Sequence, residues 1–282
     1  MMRLLFGMMI AALVAAPLTS RADEADIHYR SGLALKQSGK LDEAIEEFEQ
    51  AVKLRPDYAA AEWSLGIAYK LHNQPKEALP HLEKAARLQP RSADVHASLG
   101  ILYYKLDRSE DAIGELEKAV AINANDAQAQ SSLGALYREK KQYDKAIPHL
   151  EQAVMLDPKD AQALSNLGVA YRQTRKDSEA ETYFKKAIQL KPDQAEFHFN
   201  LAVVYRRSQK IKEAIGEYEE AERLDQQLAP VHYDLGVMYK NEKRTDDAIR
   251  EWNLYLDLIA MRSPKEAEVV RKHIKELGGK PH

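Results

Sequence analysis

The sequence predicts an all-α fold, an α-solenoid of stacked helix-turn-helix units that ends in a C-terminal capping helix. Two series of small residues, each repeating at a constant spacing of 34, carry this prediction. A period between about 20 and 50 residues is typical of repeat proteins, not of a single globular core. The first series is Gly32, Gly66, Gly100, Gly134, Gly168, Ala202 and Gly236, and the second is Ala44, Ala78, Ala112, Ala146, Ala180, Ala214 and Ala248.

Seven units follow from this period, each opening on an alanine, at residues 25–58, 59–92, 93–126, 127–160, 161–194, 195–228 and 229–262. In each unit the apolar residues recur at steps of three and four, which predicts two amphipathic helices. Pro56, Pro90, Pro158 and Pro192 close four of the units because proline cannot continue a helix. Ser92, Asp126 and Asp160 are expected to cap the helix that follows.

The small residues indicate where the two helices of a unit cross, because a large side chain at that place would overpack the contact. After the seventh unit, residues 263–278 predict the capping helix. Ser263 is expected at its N-cap, Pro264 at its first position and Glu266 in a capping box. Residues 279–282 form a short tail.

Larger residues also keep fixed places, as Leu133, Tyr137 and Leu150 do in the fourth unit. This Leu-Gly-x-x-Tyr … Ala-x-x-x-large apolar … Pro arrangement resembles the tetratricopeptide repeat family over residues 25–262. The resemblance implies a right-handed superhelix and a non-catalytic scaffold that binds peptides on its concave surface. The tryptophan usual at the fourth place of the repeat is replaced here by His28, Glu62, His96, Gln130, Leu164, His198 and His232.

Residues 1–22 predict a secretory signal. Arg3 precedes an apolar run of about a dozen residues, and Ser20-Arg21-Ala22 offers small residues around a cleavage point after Ala22. The run is shorter than the roughly 20 residues needed to span a bilayer, so an uncleaved anchor is the weaker alternative. We therefore expect an exported protein, periplasmic or secreted, without stable membrane insertion after cleavage.

The composition limits which classes of partner and which kinds of catalysis are possible for this protein. Cysteine is absent, which excludes disulfides and thiol catalysis. The net charge is −3, and it becomes −5 once Arg3 and Arg21 are removed, with 39 basic residues left of 41 against 44 acidic ones. A strongly basic domain would be needed for general nucleic-acid binding. We expect no nucleic-acid partner.

No motif for catalysis, a cofactor or a metal stands out, so we expect a protein that is not an enzyme and has no such sites. The sequence lacks Gly-x-Ser-x-Gly and His-Glu-x-x-His. Four histidines share the fourth place of their units and are therefore spread along the repeats, whereas zinc needs three or four ligands at one point. His81 and His149 are expected to face solvent.

The fifth, ninth and twelfth residues of a unit lie on one face of its first helix, which lines the concave surface in the tetratricopeptide family. The ninth place is apolar in all seven units, the fifth is aromatic towards both ends, and the twelfth is basic in six units. Trp63, Phe199 and Tyr233 are expected to be exposed. The predicted partner-binding residues are Tyr29, Trp63, Phe199, Tyr233, Lys36, Lys70, Tyr104, Arg138, Arg172, Arg206 and Lys240.

An extended protein segment with apolar and acidic side chains would complement such a face. The leading hypothesis is therefore a non-catalytic scaffold in a bacterial envelope assembly. An anionic glycan along the basic residues, regulation of an enzyme in trans, and self-association are the alternatives. Basic residues near a helix C-terminus also favour the helix dipole, which gives the cations a purely structural explanation.

Overall fold

The computed structural model describes residues 20–282, which form fifteen α-helices and no strand. The all-α helical repeat fold is thereby confirmed. Among these residues no helix is both long enough and apolar enough to cross a bilayer. The helices are α1 Arg21–Gln37, α2 Leu41–Leu54, α3 Ala59–Leu71, α4 Pro75–Leu88, α5 Ala93–Lys105, α6 Ser109–Ile122, α7 Ala127–Glu139, α8 Tyr143–Leu156, α9 Ala161–Gln173, α10 Asp177–Leu190, α11 Ala195–Arg207, α12 Ile211–Leu224, α13 Ala229–Asn241, α14 Thr245–Ile259 and α15 Pro264–Glu276.

The contacts between residues divide the chain into an N-terminal unit that ends at Ala112 and a C-terminal unit that begins at Ile113. In the N-terminal unit α1 packs on α2, and α3 packs on α4. In the C-terminal unit the antiparallel pairs are α7 with α8, α9 with α10, α11 with α12, and α13 with α14, and α15 packs on α14. Within each unit, consecutive pairs also contact one another, so neighbours bury the apolar face that a single pair would expose.

Helix capping follows the sequence at three of the four predicted places. The side chains of Ser92, Asp126 and Asp160 each accept a hydrogen bond from a backbone N–H in the first turn of the next helix. The capping box predicted at Ser263 was wrong, because its side chain makes no cap hydrogen bond. Glu266 instead accepts a hydrogen bond of 3.4 Å from a tyrosine hydroxyl of α14.

The start of α1 overlaps the end of the predicted signal segment. Most of residues 1–22 lies outside the described residues, but Ser20 is the N-cap of α1 and Arg21 is its first residue. Ser20 and Asp23 form a reciprocal capping box that the sequence analysis did not foresee. Cleavage after Ala22, which stays a prediction, would remove this cap.

Five glycines of the first series, at positions 32, 66, 134, 168 and 236, lie at the helix crossings, as predicted. A Cβ added to Gly134 would come within 2.5 Å of Leu150 Cγ and 3.2 Å of the Leu150 backbone nitrogen. A Cβ on Gly32 would come within 2.6 Å of the Phe48 ring. Because these neighbours are themselves buried, a larger side chain could not be accommodated by a simple rotation.

The turn between the two helices of a repeat is the same from one repeat to the next. Its fifteenth residue has a left-handed backbone with φ between 58° and 66° in six repeats, and Gly39 takes that place in the first with φ 79°. Residues with a Cβ adopt this conformation at a cost. The six residues are Asn73, Asp107, Lys141, Arg175, Gln209 and Lys243.

Candidate partner-binding site

The predicted binding residues are the fifth, ninth and twelfth of each repeat, and they lie on α1, α3 and α5 in the N-terminal unit and on α7, α9, α11 and α13 in the C-terminal unit. The apolar ninth-place residues are half-buried in six repeats, and Val203 is buried. The predicted binding residues therefore form neither a sealed core nor a fully hydrated surface. They differ strongly in what they contact.

In the N-terminal unit, Tyr29 belongs to an aromatic cluster between α1 and the following hairpin. Its ring centroid lies 6.0 Å from that of Phe48 and 5.0 Å from that of Tyr58. The guanidinium of Arg55 covers the Tyr58 ring at 3.4 Å and pairs with Asp26 at 2.6 Å. Tyr29 is half-buried and contributes to packing whether or not it also meets a partner.

Trp63 on α3 is also half-buried, so the prediction that it is exposed was wrong. Its indole N–H donates a hydrogen bond of 3.1 Å to the Ser98 hydroxyl oxygen on α5. That hydroxyl donates in turn to the backbone oxygen of Asp94 at 2.7 Å. Trp63 therefore links two consecutive repeats.

The twelfth-place residues of the N-terminal unit are Lys36, Lys70 and Tyr104. Lys36 and Lys70 are half-buried, and 44% of Tyr104 is exposed. Burial, helped by the nearby charge of Lys105, lowers the pKa of Lys70. A negative group would relieve this unfavourable environment.

Phe199 and Tyr233, the aromatic residues of the C-terminal unit, are half-buried as well, which corrects the expectation of exposure. The Phe199 ring lies 5.9 Å from the Tyr218 ring, and the Tyr233 ring lies 5.4 Å from the Tyr255 ring. Tyr233 and Tyr255 also line a cavity of about 330 Å³ beside α15. Each ring is therefore packed against an aromatic ring from the second helix of its own repeat.

Arg206 on α11 has a charge partner within the protein. Its Nη1 lies 2.7 Å from Asp234 Oδ1, and the Tyr218 hydroxyl donates to Asp234 Oδ2 at 2.8 Å. Burial and the Asp234 carboxylate raise the pKa of the Tyr218 hydroxyl, which keeps it a donor. Both oxygens of Asp234 are thus occupied, and Arg206 is neutralised.

Arg172 on α9 holds the same place one repeat earlier but lacks such a partner. It is half-buried, its Nε is buried without a hydrogen bond, and its guanidinium forms no ion pair with any residue from 20 to 282. Burial, together with the charges of Arg207 and Arg206, lowers the pKa of Arg172, although arginine remains charged. Arg207 is itself paired with Asp177 at 3.2 Å. Arg172 is therefore a partly desolvated cation with no ion pair among the described residues, and the Asp234 carboxylate, which pairs with Arg206, acts on it only from a longer distance.

The remaining twelfth-place cations lie between these two cases. Arg138 is half-buried, its Nε has no hydrogen-bond partner, and its Nη2 is 3.8 Å from Glu139 Oε1. Lys240 is exposed, and its Nζ lies 5.8 Å from the ring centroid of Trp252. Among the twelfth-place cations of the C-terminal unit, Arg172 and Lys240 form no ion pair with a described residue, and of these two only Arg172 is half-buried.

A set of polar pairs that the sequence analysis missed joins the two helices within a repeat. The fourth and the twenty-third residue, 19 apart, form a hydrogen bond, and histidine takes either place. His81 and His149, expected to face solvent, are half-buried for this reason. The sequence does contain a signal for these pairs: where one of the two places is histidine, the other is glutamate or glutamine. The pairs are His28–Glu47, Glu62–His81, Gln130–His149, His198–Glu217 and His232–Glu251.

The partner decides the histidine's proton affinity in these pairs. Burial lowers the pKa of His149, whose partner Gln130 is neutral. For His198 burial acts in the same direction, but hydrogen bonds with Glu217 and the Pro192 carbonyl outweigh it and raise the pKa. His149 is the twenty-third residue of its repeat and His198 the fourth of its own, and the charge of the partner decides whether the pKa of the histidine falls or rises.

The last pair has a third member. Glu222 of α12 lies with its Oε1 4.0 Å from His232 Nδ1, which is 2.8 Å from Glu251 Oε2. Burial and the Glu251 carboxylate raise the pKa of Glu222. The spacing of the histidines along the sequence does not reveal this cluster, because its two carboxylates come from the adjacent helices.

Comparison with known proteins identifies the repeats. Models described as TPR repeat or tetratricopeptide repeat match residues 32–73, 69–136, 125–193 and 178–230, which together extend from residue 32 to residue 230. A search of curated proteins finds no match. The evidence for the family therefore comes from the repeat models and from solved structures.

Three solved structures illustrate the similarity. MamA is 29% identical, with a TM-score of 0.55 over 62% of this chain and 95% of MamA. YrrB, described as a TPR protein with an unusual peptide-binding site, is 26% identical, with a TM-score of 0.55 over 66% of this chain and 92% of YrrB. PilF of Pseudomonas aeruginosa is 24% identical and shares the fold, with a TM-score of 0.64 over 78% of this chain and 99% of PilF.

The repeat models, the solved structures and the helix pairs described above agree. The chain therefore belongs to the tetratricopeptide repeat family, whose fold serves as a protein-interaction scaffold.

Proposed function

We propose that this scaffold binds an extended protein segment carrying acidic side chains, and that Arg172 receives one of its carboxylates. The observation that carries the proposal is the environment of Arg172, a half-buried guanidinium that forms no ion pair with any described residue. A charge removed from water is costly unless it is paired. A partner carboxylate would supply the missing charge and accept two parallel hydrogen bonds from the fork of the guanidinium.

The surroundings of Arg172 favour a segment that alternates apolar and acidic residues. Val169 lies three residues earlier on α9 and therefore on the same helix face. It is half-buried, which leaves part of its side chain for contact with a partner. That YrrB is described as having a peptide-binding site supports a peptide as the partner class for this chain.

The distribution of charge favours a ligand with a few acidic side chains over a polyanion. Asp234 neutralises Arg206 and Asp177 pairs with Arg207, so the row of cations is interrupted on one side of Arg172. The whole chain has a net charge of −3. A long anionic glycan would meet these fixed carboxylates along its path and be repelled.

Two labelled peptides test the proposal, one alternating leucine with glutamate and the other alternating leucine with glutamine. The glutamate peptide should bind the full chain at least about tenfold more tightly, which corresponds to roughly 1.4 kcal/mol. Arg172→Gln should remove most of this preference. Fluorescence anisotropy at two salt concentrations measures both effects.

Arg175→Gln is the matched control because Arg175 is an exposed arginine three residues further on, in the turn. It should leave both affinities within about twofold. Equal binding of the two peptides would contradict the proposal. Tighter binding of a polyuronic acid, with a steeper salt dependence, would instead favour a glycan as the ligand.

We also propose that the protein is exported, to a periplasm, and works in an envelope assembly. The apolar run before Pro17 and the small residues around Arg21 support a cleaved signal. Cell fractionation with N-terminal sequencing should find a chain that begins at Asp23. An intact N-terminus in the cytoplasmic fraction would contradict export.

A further inference from the structure

Three metal-ligating side chains from three helices converge in the C-terminal unit. Glu222 of α12, His232 of α13 and Glu251 of α14 place one possible ligand atom each within 4.8 Å of one another. His232 and Glu251 are buried, and Glu222 is half-buried. The cluster thus combines one imidazole nitrogen with two carboxylates away from bulk water.

The hydrogen bonds of His232 determine which ring nitrogen faces the carboxylates. Its Nε2 lies 3.0 Å from the backbone oxygen of Gln226. A carbonyl oxygen only accepts, so Nε2 carries the hydrogen, and the neutral ring presents its lone pair at Nδ1. This lone pair faces Glu251 Oε2 at 2.8 Å. Two acceptors at that distance need either a hydrogen or a metal ion between them.

The second carboxylate distinguishes this cluster from the pair one repeat earlier. His198 has the same two contacts, with the Pro192 carbonyl at 3.0 Å and Glu217 at 2.6 Å. Ile188 occupies the place that Glu222 takes in the next repeat, 34 residues on. A proton suffices for one histidine and one carboxylate. The additional acid in the later repeat is what a divalent ion uses.

The geometry is close to a metal site. With ligand distances of about 2.0–2.2 Å, the donor atoms of a tetrahedral ion lie about 3.3–3.6 Å apart. The separations from His232 Nδ1 are 2.8 Å to Glu251 and 4.0 Å to Glu222, on either side of that value. Small side-chain movements bring all three to the ion. The hydrogen bond from Nε2 to a backbone carbonyl is the outer contact that orients metal-binding histidines.

The cluster is hydrogen-bonded to an arginine on one side and adjoins a cavity on the other. Arg250 donates to Glu251 Oε1 from Nη2 at 2.8 Å, which leaves Oε2 directed at His232. A cavity of about 300 Å³ adjoins the cluster and provides room for an ion to enter and for a water ligand. It is lined by Glu222, Gln226, Gln227, His232, Leu254, Asp257 and Leu258.

We propose that Glu222, His232 and Glu251 bind a divalent transition-metal ion of the zinc type, with water from the cavity at the remaining position. One nitrogen and two carboxylate oxygens suit such an ion. The ion would connect α12, α13 and α14, and its binding would stabilise the last two hairpins against unfolding.

The test uses the full chain after removal of metal with a chelator. Zn²⁺ titration by calorimetry should show one ion bound per chain, and Co²⁺ should give the visible absorption of a low-symmetry site. Glu222→Gln should weaken Zn²⁺ binding at least about 100-fold, because even changes in outer contacts cost 10–100-fold. Saturating Zn²⁺ should raise the melting temperature of the unsubstituted protein and not that of Glu222→Gln.

Glu217→Gln is the matched control, since it alters the His198 pair that lacks a second carboxylate. It should leave the Zn²⁺ affinity unchanged. The proposal is overturned if the unsubstituted chain and Glu222→Gln bind Zn²⁺ equally. It is also overturned if no saturable binding occurs, in which case a proton alone holds His232 and Glu251 together.

Discussion

Arg172 and Arg206 occupy the same place in consecutive repeats of the C-terminal unit, yet their surroundings differ. Arg206 pairs with Asp234, whose second oxygen accepts from Tyr218. The residue 34 before Asp234 is Asn200, whose amide donates to the backbone oxygen of Glu196. An arginine in a fixed place is thus neutralised or left open by one residue of the following repeat.

The difference between Arg172 and Arg206 shows that two features of a repeat sequence act separately. The 34-residue period determines which helix face a side chain occupies. The residue 28 positions later, in the next repeat, determines whether an arginine at the twelfth place has a counter-charge. A binding site on such a scaffold is therefore defined by the exceptions to the pattern, here by asparagine where the next repeat has aspartate.

The largest effect should come from breaking the crossing of α9 and α10, the hairpin that carries Arg172. A Cβ at Gly168 would lie 2.8 Å from Cε1 of the buried Phe184, so Gly168→Leu should destabilise the C-terminal unit by about 3 kcal/mol or more. Urea unfolding followed by circular dichroism measures this. Gly216→Leu is the control, because nothing lies within 4 Å of a Cβ at that helical glycine. An equal loss in both variants would contradict the crossing.

Removing the acid from the paired arginine should make Arg206 resemble Arg172. Asp234→Asn leaves Arg206 without a counter-charge, and we expect a loss of about 1–3 kcal/mol, reduced because Arg206 is partly solvated. Acidic-peptide binding should strengthen in parallel. Asn200→Ala, at the equivalent place, should change stability by less than about 0.5 kcal/mol. Unchanged stability in Asp234→Asn would contradict the assigned role of this ion pair.

The converse substitution should give Arg172 a counter-charge within the protein. Asn200→Asp places a carboxylate where Asp234 stands in the next repeat, and it should weaken binding of the glutamate peptide about tenfold by competing for Arg172. Stability should rise by at most about 1 kcal/mol. Fluorescence anisotropy compares this variant with Asn200→Ala, which should keep the affinity of the unsubstituted protein. Equal peptide affinities in the two variants would contradict the role of Arg172.

The smallest effect concerns the histidine pairs, whose histidines have either a neutral or a charged partner. We expect the pKa of His198 above its ordinary value and that of His149 below it. His198 then adds stability that is fully present below its unfolded pKa and is lost as pH rises through its folded pKa. His149 adds stability that is present above its unfolded pKa and is lost as pH falls towards its folded pKa.

NMR titration of the imidazole signals measures these values directly. Glu217→Gln replaces the charged partner of His198 by the kind of neutral partner that His149 has. The pKa of His198 should then fall below its ordinary value. A His198 that titrates unchanged in this variant would show that the carboxylate is not the cause.

The sequence predicted the fold well because the fold depends on local pattern. The period places Gly134 at a helix crossing, and the caps at Ser92, Asp126 and Asp160 follow from single side chains next to a helix start. The capping box at Ser263 was wrong because Glu266 bonds to α14, a tertiary contact that no local motif reports.

The site was less predictable because its properties arise between repeats. Trp63 was expected to be exposed, but Ser98 of the next repeat binds its indole. The cations were treated as one series, whereas neighbouring repeats neutralise some and leave Arg172 open. The cluster at His232 draws carboxylates from two other helices, 10 residues before it and 19 after. Comparing each repeat with its neighbours at fixed offsets would have revealed these pairs.

The most direct test of the open arginine is a double-mutant cycle between the protein and the peptide. Isothermal titration calorimetry would combine Arg172 or Arg172→Gln with the glutamate or the glutamine peptide, and the same cycle at Arg175 would provide the reference. We predict a coupling free energy of at least about 1 kcal/mol at Arg172 and close to zero at Arg175. A coupling at Arg172 that is indistinguishable from the reference would contradict the account.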